Sequence, residues 1–294
     1  MSKQVTFIFR CILIAVFVLS GPSLAEEADG HDHHDHNHDH HHDHGHAHAY
    51  EGQTAYYLAE HGDFDIGFAD GQLHLRIHLH AGTIVDGEPL AKETVFDPGQ
   101  LIIVATEEAE ILRPAGELWE LTGAEPNDAL WVLPQIGREH VPAFGLATEE
   151  IDPGIFVDDT VVLSLRYLNG PGDFSLWQSD AFGIPTFLFS SHANLVAAGV
   201  PVGRHAHYNW AFTAPGDYTL VFEATAQLVA GGFVSALSVY TFKVTEGPLC
   251  LAPLPGDVNG DCVVDEYDLE IVQANLGKDA PRWPADHDHP HEHE

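Results

Sequence analysis

The sequence predicts an all-β protein, an antiparallel β-sandwich followed by a small loop-and-helix module. Three observations lead there. From residue 50 to about residue 244, Val, Leu, Phe, Tyr and Trp occur in short runs divided by Gly, Pro, Asp and Asn. Residues 73–80, 160–168, 174–177, 205–213, 218–226 and 235–244 alternate apolar and polar side chains, as half-buried strands do. No segment with helical periodicity is long enough to cover a parallel sheet, so two packed antiparallel sheets are the natural architecture.

The elements follow in order. Residues 1–25 read as a signal peptide: Lys3 and Arg10, the apolar run 11–19, then Ser23-Leu24-Ala25 as a small-residue cleavage site. No second long apolar run follows, so the mature chain is expected to lack a membrane span and to be secreted, periplasmic or on the cell surface. Residues 26–49 form a His/Asp-rich arm, in which positions 31–48 hold eleven histidines and four aspartates. With almost no apolar surface to bury, it is expected to be disordered.

Residues 50–246 are the sandwich, and the less regular stretch from about 106 to 150 is expected to form an insertion or long loops. Within it, Pro171-Gly172-Asp173-Phe174 is echoed by Pro215-Gly216-Asp217-Tyr218, each a turn that launches a strand. Tyr218 stands where immunoglobulin-like sandwiches carry a corner tyrosine. A linker (247–255), a module at 256–279 and a second His/acid tail (280–294) complete the chain.

Eleven basic against 45 acidic residues give a formal charge of −34. That balance excludes nucleic acid and anionic membranes as partners and favours cations. In the arm, His31, His33, His34, His36, His38, His40, His41, His42, His44, His46 and His48 offer overlapping weak sites for zinc, copper or nickel, with carboxylates beside them. Without metal, the arm is a solvated, pH-responsive tail.

The sandwich carries two His-x-His pairs, His78/His80 and His205/His207, in alternating segments. Residues two apart on a strand share a face at about 6.6 Å, so each pair can lean onto one ion. Two such pairs supply the ligands of a zinc site if their strands meet; otherwise they decorate a polar sheet face. His61, Asp63 and His192 are further candidate ligands in loop-like surroundings, while His140 reads as an ordinary loop residue. No nucleophile elbow or Cys-His pair stands out, so no enzyme is expected, with a zinc-dependent hydrolase or a copper-zinc redox enzyme as the alternative that His-x-His pairs leave open. Trp119, Trp131, Trp177 and Trp210 fit the core of a sandwich, with a sugar platform as the alternative.

In the module, Asp257, Asn259, Asp261, Asp265 and Asp268 fall at positions 1, 3, 5, 9 and 12 of a twelve-residue calcium loop, and the Val263 carbonyl falls at position 7. Position 6 holds Cys262 in place of the usual glycine, and position 12 holds aspartate in place of glutamate. Cys250 and Cys262 remain in the mature chain and are expected to pair, closing a short loop worth about 3 kcal/mol. Leu269, Val272 and Leu276 recur at helical spacing after the loop.

Residues 203–213, followed by Pro215-Gly216-Asp217-Tyr218, resemble the signature of the actinobacterial-type surface-anchored family whose members are called choice-of-anchor M domain proteins. Residues 170–177, His61 with Asp63, and Leu133-Pro134-Gln135 fit the same pattern, over about residues 55–245. The resemblance implies an exported, variably anchored, non-enzymatic β domain, with some members encoded beside metal-uptake transporters. Residues 256–277 resemble one half of a type I dockerin, which implies calcium bound by the five oxygen ligands above. The expected function is extracytoplasmic binding of zinc or a similar divalent ion, for sequestration or transfer to a metal-uptake transporter. The alternative is a surface adhesion or carbohydrate-associated module attached to a scaffold protein through the dockerin-like repeat.

Overall fold

The computed structural model describes residues 54–251, 255–258 and 262–276. The signal peptide, the histidine arm with all its candidate ligands, Asn259, Asp261 and the terminal tail lie outside the described residues.

The chain opens with a long hairpin, β1 (Ala55–Ala69) and β2 (Gln72–Leu79), joined by Asp70-Gly71 with both residues at positive φ. That two-residue turn matches the natural twist of a strand pair. Short strands follow: β3 (Ile84–Val85), β4 (Glu88–Pro89), β5 (Thr94–Phe96), β6 (Leu101–Ala105) and β7 (Glu110–Leu112). Then come β8 (Ala129–Leu133), β9 (Pro142–Ala147), β10 (Thr160–Asn169), β11 (Phe174–Ser179), β12 (Pro185–Ser190) and β13 (Ala197–Pro201). The domain closes with β14 (His205–His207), β15 (Asn209–Phe212), β16 (Gly216–Gln227) and β17 (Phe233–Val244), and a helix α1 (Glu266–Asn275) follows.

The strands form two sheets, the all-β sandwich expected. The larger runs β13-β10-β16-β17-β6-β1-β2-β5, with β9 and β14 continuing beside β1; the smaller runs β12-β11-β15-β8-β7. Most pairings are antiparallel, but β1 lies parallel to β6 and β9, and β17 lies parallel to β6. Among the described residues, no helix is long and apolar enough to cross a membrane.

Three sequence expectations are corrected. His61 and Asp63 sit inside β1 rather than in a loop. Glu-His-Gly-Asp reads as a turn, and Glu60 does take a positive φ of 71°, but it makes an irregularity within the strand rather than an end. The stretch 106–150, expected to form an insertion or long loops, holds β7, β8 and β9, the last buried on both faces. Pro-Ala-Phe-Gly-Leu-Ala has neither β-branched residues nor alternation, and a strand covered on both sides needs none. The stretch 205–213 divides at Tyr208: β14 pairs with β9 in the larger sheet, whereas β15 pairs with β8 and β11 in the smaller one. Alternation survives the crossing, so the sequence hides it.

The core is aromatic. Trp210 is fully buried, with Phe64, Phe144, Phe174, Phe222 and Phe242 at centroid distances of 5.0–6.2 Å. Trp131 and Trp177 are buried as well, as a sandwich core requires. The echoed turns pack on each other: the Tyr218 hydroxyl donates to the Ala214 carbonyl at 2.8 Å, and Asp173 N donates to Thr213 Oγ1. In the C-terminal module Asp265 caps α1, while Leu269, Val272 and Leu276 remain exposed. Cys250 and Cys262 lie at disulfide distance, with Cα atoms 5.4 Å apart, and Cys262 takes the positive φ, 70°, usual for glycine there.

Replacing Tyr218 with Phe removes the corner hydrogen bond alone. The expected cost is about 1 kcal/mol in urea unfolding, with the β circular dichroism spectrum unchanged.

Candidate metal centre

β1 and β2 put alternate residues on opposite faces. Leu73, Leu75, Ile77 and Leu79 enter the core from β2, and Phe64 and Ile66 enter it from β1. The opposite face carries His74, Arg76 and His78 of β2, with His80 just beyond it, and His61, Asp63 and Asp65 of β1. Strand register arranges these in rows. Asp63 is level with His78 on one side and Gly145 of β9 on the other, and Gly145 is level with His207 of β14. One row along, Asp65 lies level with Arg76 and Ala147, and Ala147 with His205. One row back, His61 is level with Ala143, and its carbonyl accepts from His80 N at 3.3 Å.

The row-forming residues of β9 are Ala143, Gly145 and Ala147, so the central strand is a trough that its neighbours lean across. A Cβ on Gly145 would overlap Asp63 Oδ1 and stand 3.2 Å from His205 Nε2. The sequence reading missed Gly145 because β9 itself was not legible.

Across this trough the two His-x-His pairs meet, with His61 and Asp63 between them. His61 Nε2 and His207 Nε2 are 3.1 Å apart, His205 Nε2 is 2.9 Å from Asp63 Oδ1, and His80 Nε2 is 3.3 Å from Asp63 Oδ2. A tetrahedral ion with bonds of about 2.0–2.1 Å separates its ligand atoms by about 3.3 Å, close to all three distances. Two groups satisfy metal-ligand spacing: His61, His205 and His207, and His61, Asp63 and His80. His78 stacks on His80 with ring centroids 5.1 Å apart and lies 3.7 Å from Glu93. Glu149, which the sequence reading did not single out, lies 3.7 Å from His205 Nδ1.

His192 is not brought to this cluster; its Nδ1 lies 3.3 Å from Asp173 Oδ2. His140 is exposed beside Glu139, in keeping with a loop residue. In the C-terminal module, Asp257 accepts from Cys262 N, and Asp268 accepts from both Val258 N and Asp265 N. The described carboxylates there shape the turn and cap the helix.

Electrostatics prepare the cluster for a cation. Burial brings His61 down to about 4, with His80, His207 and His205 adding to the effect and Asp63 opposing it. Burial also lowers His78 and His207. Burial alone would raise Asp63, but the hydrogen bond from His80 and the charges of His61, His205 and His80 outweigh it and hold the carboxylate below its usual range. The same hydrogen bond raises His80. Asp65 is pushed up to about 7 by burial and by Glu150 and Asp63, a cost that a nearby dication would relieve. A donor set made mainly of imidazole nitrogens suits zinc, copper or nickel better than calcium.

Two outcomes are expected. Gly145→Ala should weaken zinc binding at least about tenfold, measured by chelator competition, while circular dichroism keeps the β spectrum. In metal-free protein His61 by itself should contribute a loss of stability as pH falls from about 6.5 to about 4, because the unfolded chain takes up a proton that folded His61 refuses. His80 and Asp65 work in the opposite sense, each contribution being lost as pH rises through its raised value. Relative to the wild type, His61→Gln should therefore gain in urea midpoint as pH falls across that window.

No family model matches the chain, and neither a curated protein nor a solved structure does.

Proposed function

We propose that this chain is a non-enzymatic, extracytoplasmic metal-binding protein that sequesters or hands on zinc or a similar divalent ion. One observation carries the reading: the strand register draws His61, Asp63, His80, His205 and His207 into two groups of three that share His61, each with its donor atoms within coordinating distance. Scattered surface histidines would gain nothing from a glycine kept beneath them.

The rest of the chain supports the reading. The signal-peptide pattern and a cysteine pair at disulfide distance fit an oxidising compartment. The arm concentrates metal near the fold, and the cluster holds it. Asp63 is engaged by His80 and His205, which makes it a ligand rather than a general base. His80 and His205 keep side-chain exposures of 39% and 25%, enough for an ion to enter and leave. A cavity lined by Glu60, Arg138, Glu139 and His207 opens beside them, where a receiving transporter could approach. The C-terminal module is read as a calcium-stabilised attachment element, as its likeness to a dockerin repeat implies.

The test uses the chain trimmed to residues 50–285, which lacks both histidine tails and keeps every strand. It should retain zinc stoichiometrically against a competing chelator, and His205→Ala with His207→Ala should lower affinity by at least about a hundredfold. Zinc at a hundred times its Kd should stabilise the trimmed chain by about 2.7 kcal/mol. A trimmed chain that retains no zinc would confine metal binding to the arms and sink the folded-site reading.

A further inference from the structure

The cluster offers more donors than one ion can use, and their directions divide. The two ligand groups share only His61. That imidazole presents Nε2 to His207 at 3.1 Å, while its Nδ1 points toward Asp63 Oδ2 at 3.7 Å. The lone pairs of one imidazole diverge, so a single ion can take only one of these nitrogens.

A histidine bound to one metal normally donates its other ring N–H to a carboxylate or carbonyl. Here that arrangement is not made. The 3.7 Å separation is too long for a hydrogen bond, and His61 Nδ1 is a buried atom with no hydrogen-bond partner. Asp63 is divided in the same way, with Oδ1 toward His205 and Oδ2 toward His80. Oδ1 is also buried without a well-aimed hydrogen bond, despite the 2.9 Å approach of His205.

We propose that the cluster is a two-ion centre for borderline divalent metals such as zinc, in which His61 is the shared ligand. One ion is held by His205, His207 and Nε2 of His61; the second is held by His80, Asp63 and Nδ1 of His61. This rests on the metal-binding reading above and adds its nuclearity. Neutral His61 carries one ring proton, so binding of the second ion releases that proton to solvent and leaves an imidazolate between two dications. The field favours such a pair. Asp63, Asp65, Glu149 and Glu150 act on this face together, with Arg76 opposing them, and Glu93 stands beside His78.

The test is zinc-edge anomalous diffraction from zinc-soaked crystals of the full chain, which places ions in the fold whatever the arms bind. Two peaks are expected, one on each side of His61, each about 2.0–2.2 Å from its nitrogen and oxygen ligands. His80→Ala should keep the peak beside His205 and His207 alone, and His207→Ala should weaken that peak and keep the one at Asp63. Both substitutions lie on the outer face, and unfolding midpoints of the metal-free variants check that they fold. A single wild-type peak lost in both variants would overturn the two-ion centre and leave metal binding intact. No peak at all would overturn both.

Discussion

The indole N–H of Trp210 donates to the carbonyl of Phe144 at 2.6 Å, inside the core, and the rest of the architecture depends on that bond. Trp210 belongs to the smaller sheet and Phe144 to β9 of the larger one, so the bond fixes the point where the chain crosses between them. A buried indole donor left unpaired costs about 1–3 kcal/mol, and here it meets a strand whose residues toward the cluster, Ala143, Gly145 and Ala147, are all small. Three residues before the tryptophan, His207 is thereby held level with Gly145. Move the crossing by one residue and the histidines would turn to the opposite face.

β1 solves a related problem. Its first residues pair with β6, its later ones with β9 and β2, and the change occurs around Glu60, where the backbone enters the left-handed region. His61 is the next residue, and Asp63 and Asp65 follow on the same face. A strand that bends at this point presents three polar side chains to a trough while still sending Phe64 and Ile66 into the core. Local irregularity thus buys ligand placement, and the aromatic packing around Phe64 and Trp210 stabilises it.

The cluster is also a place where folding and function pull apart. A buried Asp63, a proton-poor His61 and an Asp65 whose ionisation burial resists are poor choices for stability alone, since each is desolvated among like or competing charges. They become favourable together when positive charge arrives. Sites that spend stability in this way are where local sequence logic is expected to yield to function.

The sequence by itself determined the fold class and most of the candidate ligand residues. Alternation in β2, β10, β16 and β17 could be read directly, because one face of each meets the core and the other meets water. The pairs His78/His80 and His205/His207 were legible for the same reason. What remained hidden was every decision made across strands. β9 shows no period because it is buried on both sides, His61 and Asp63 look like a turn because their strand bends at Glu60, and the sheet change at Tyr208 leaves alternation intact. Whether two distant His-x-His pairs converge is a matter of register and of the missing side chain at Gly145. Both are non-local, set by hydrogen bonds between segments about sixty to eighty residues apart in the chain, and only the tertiary structure decides them.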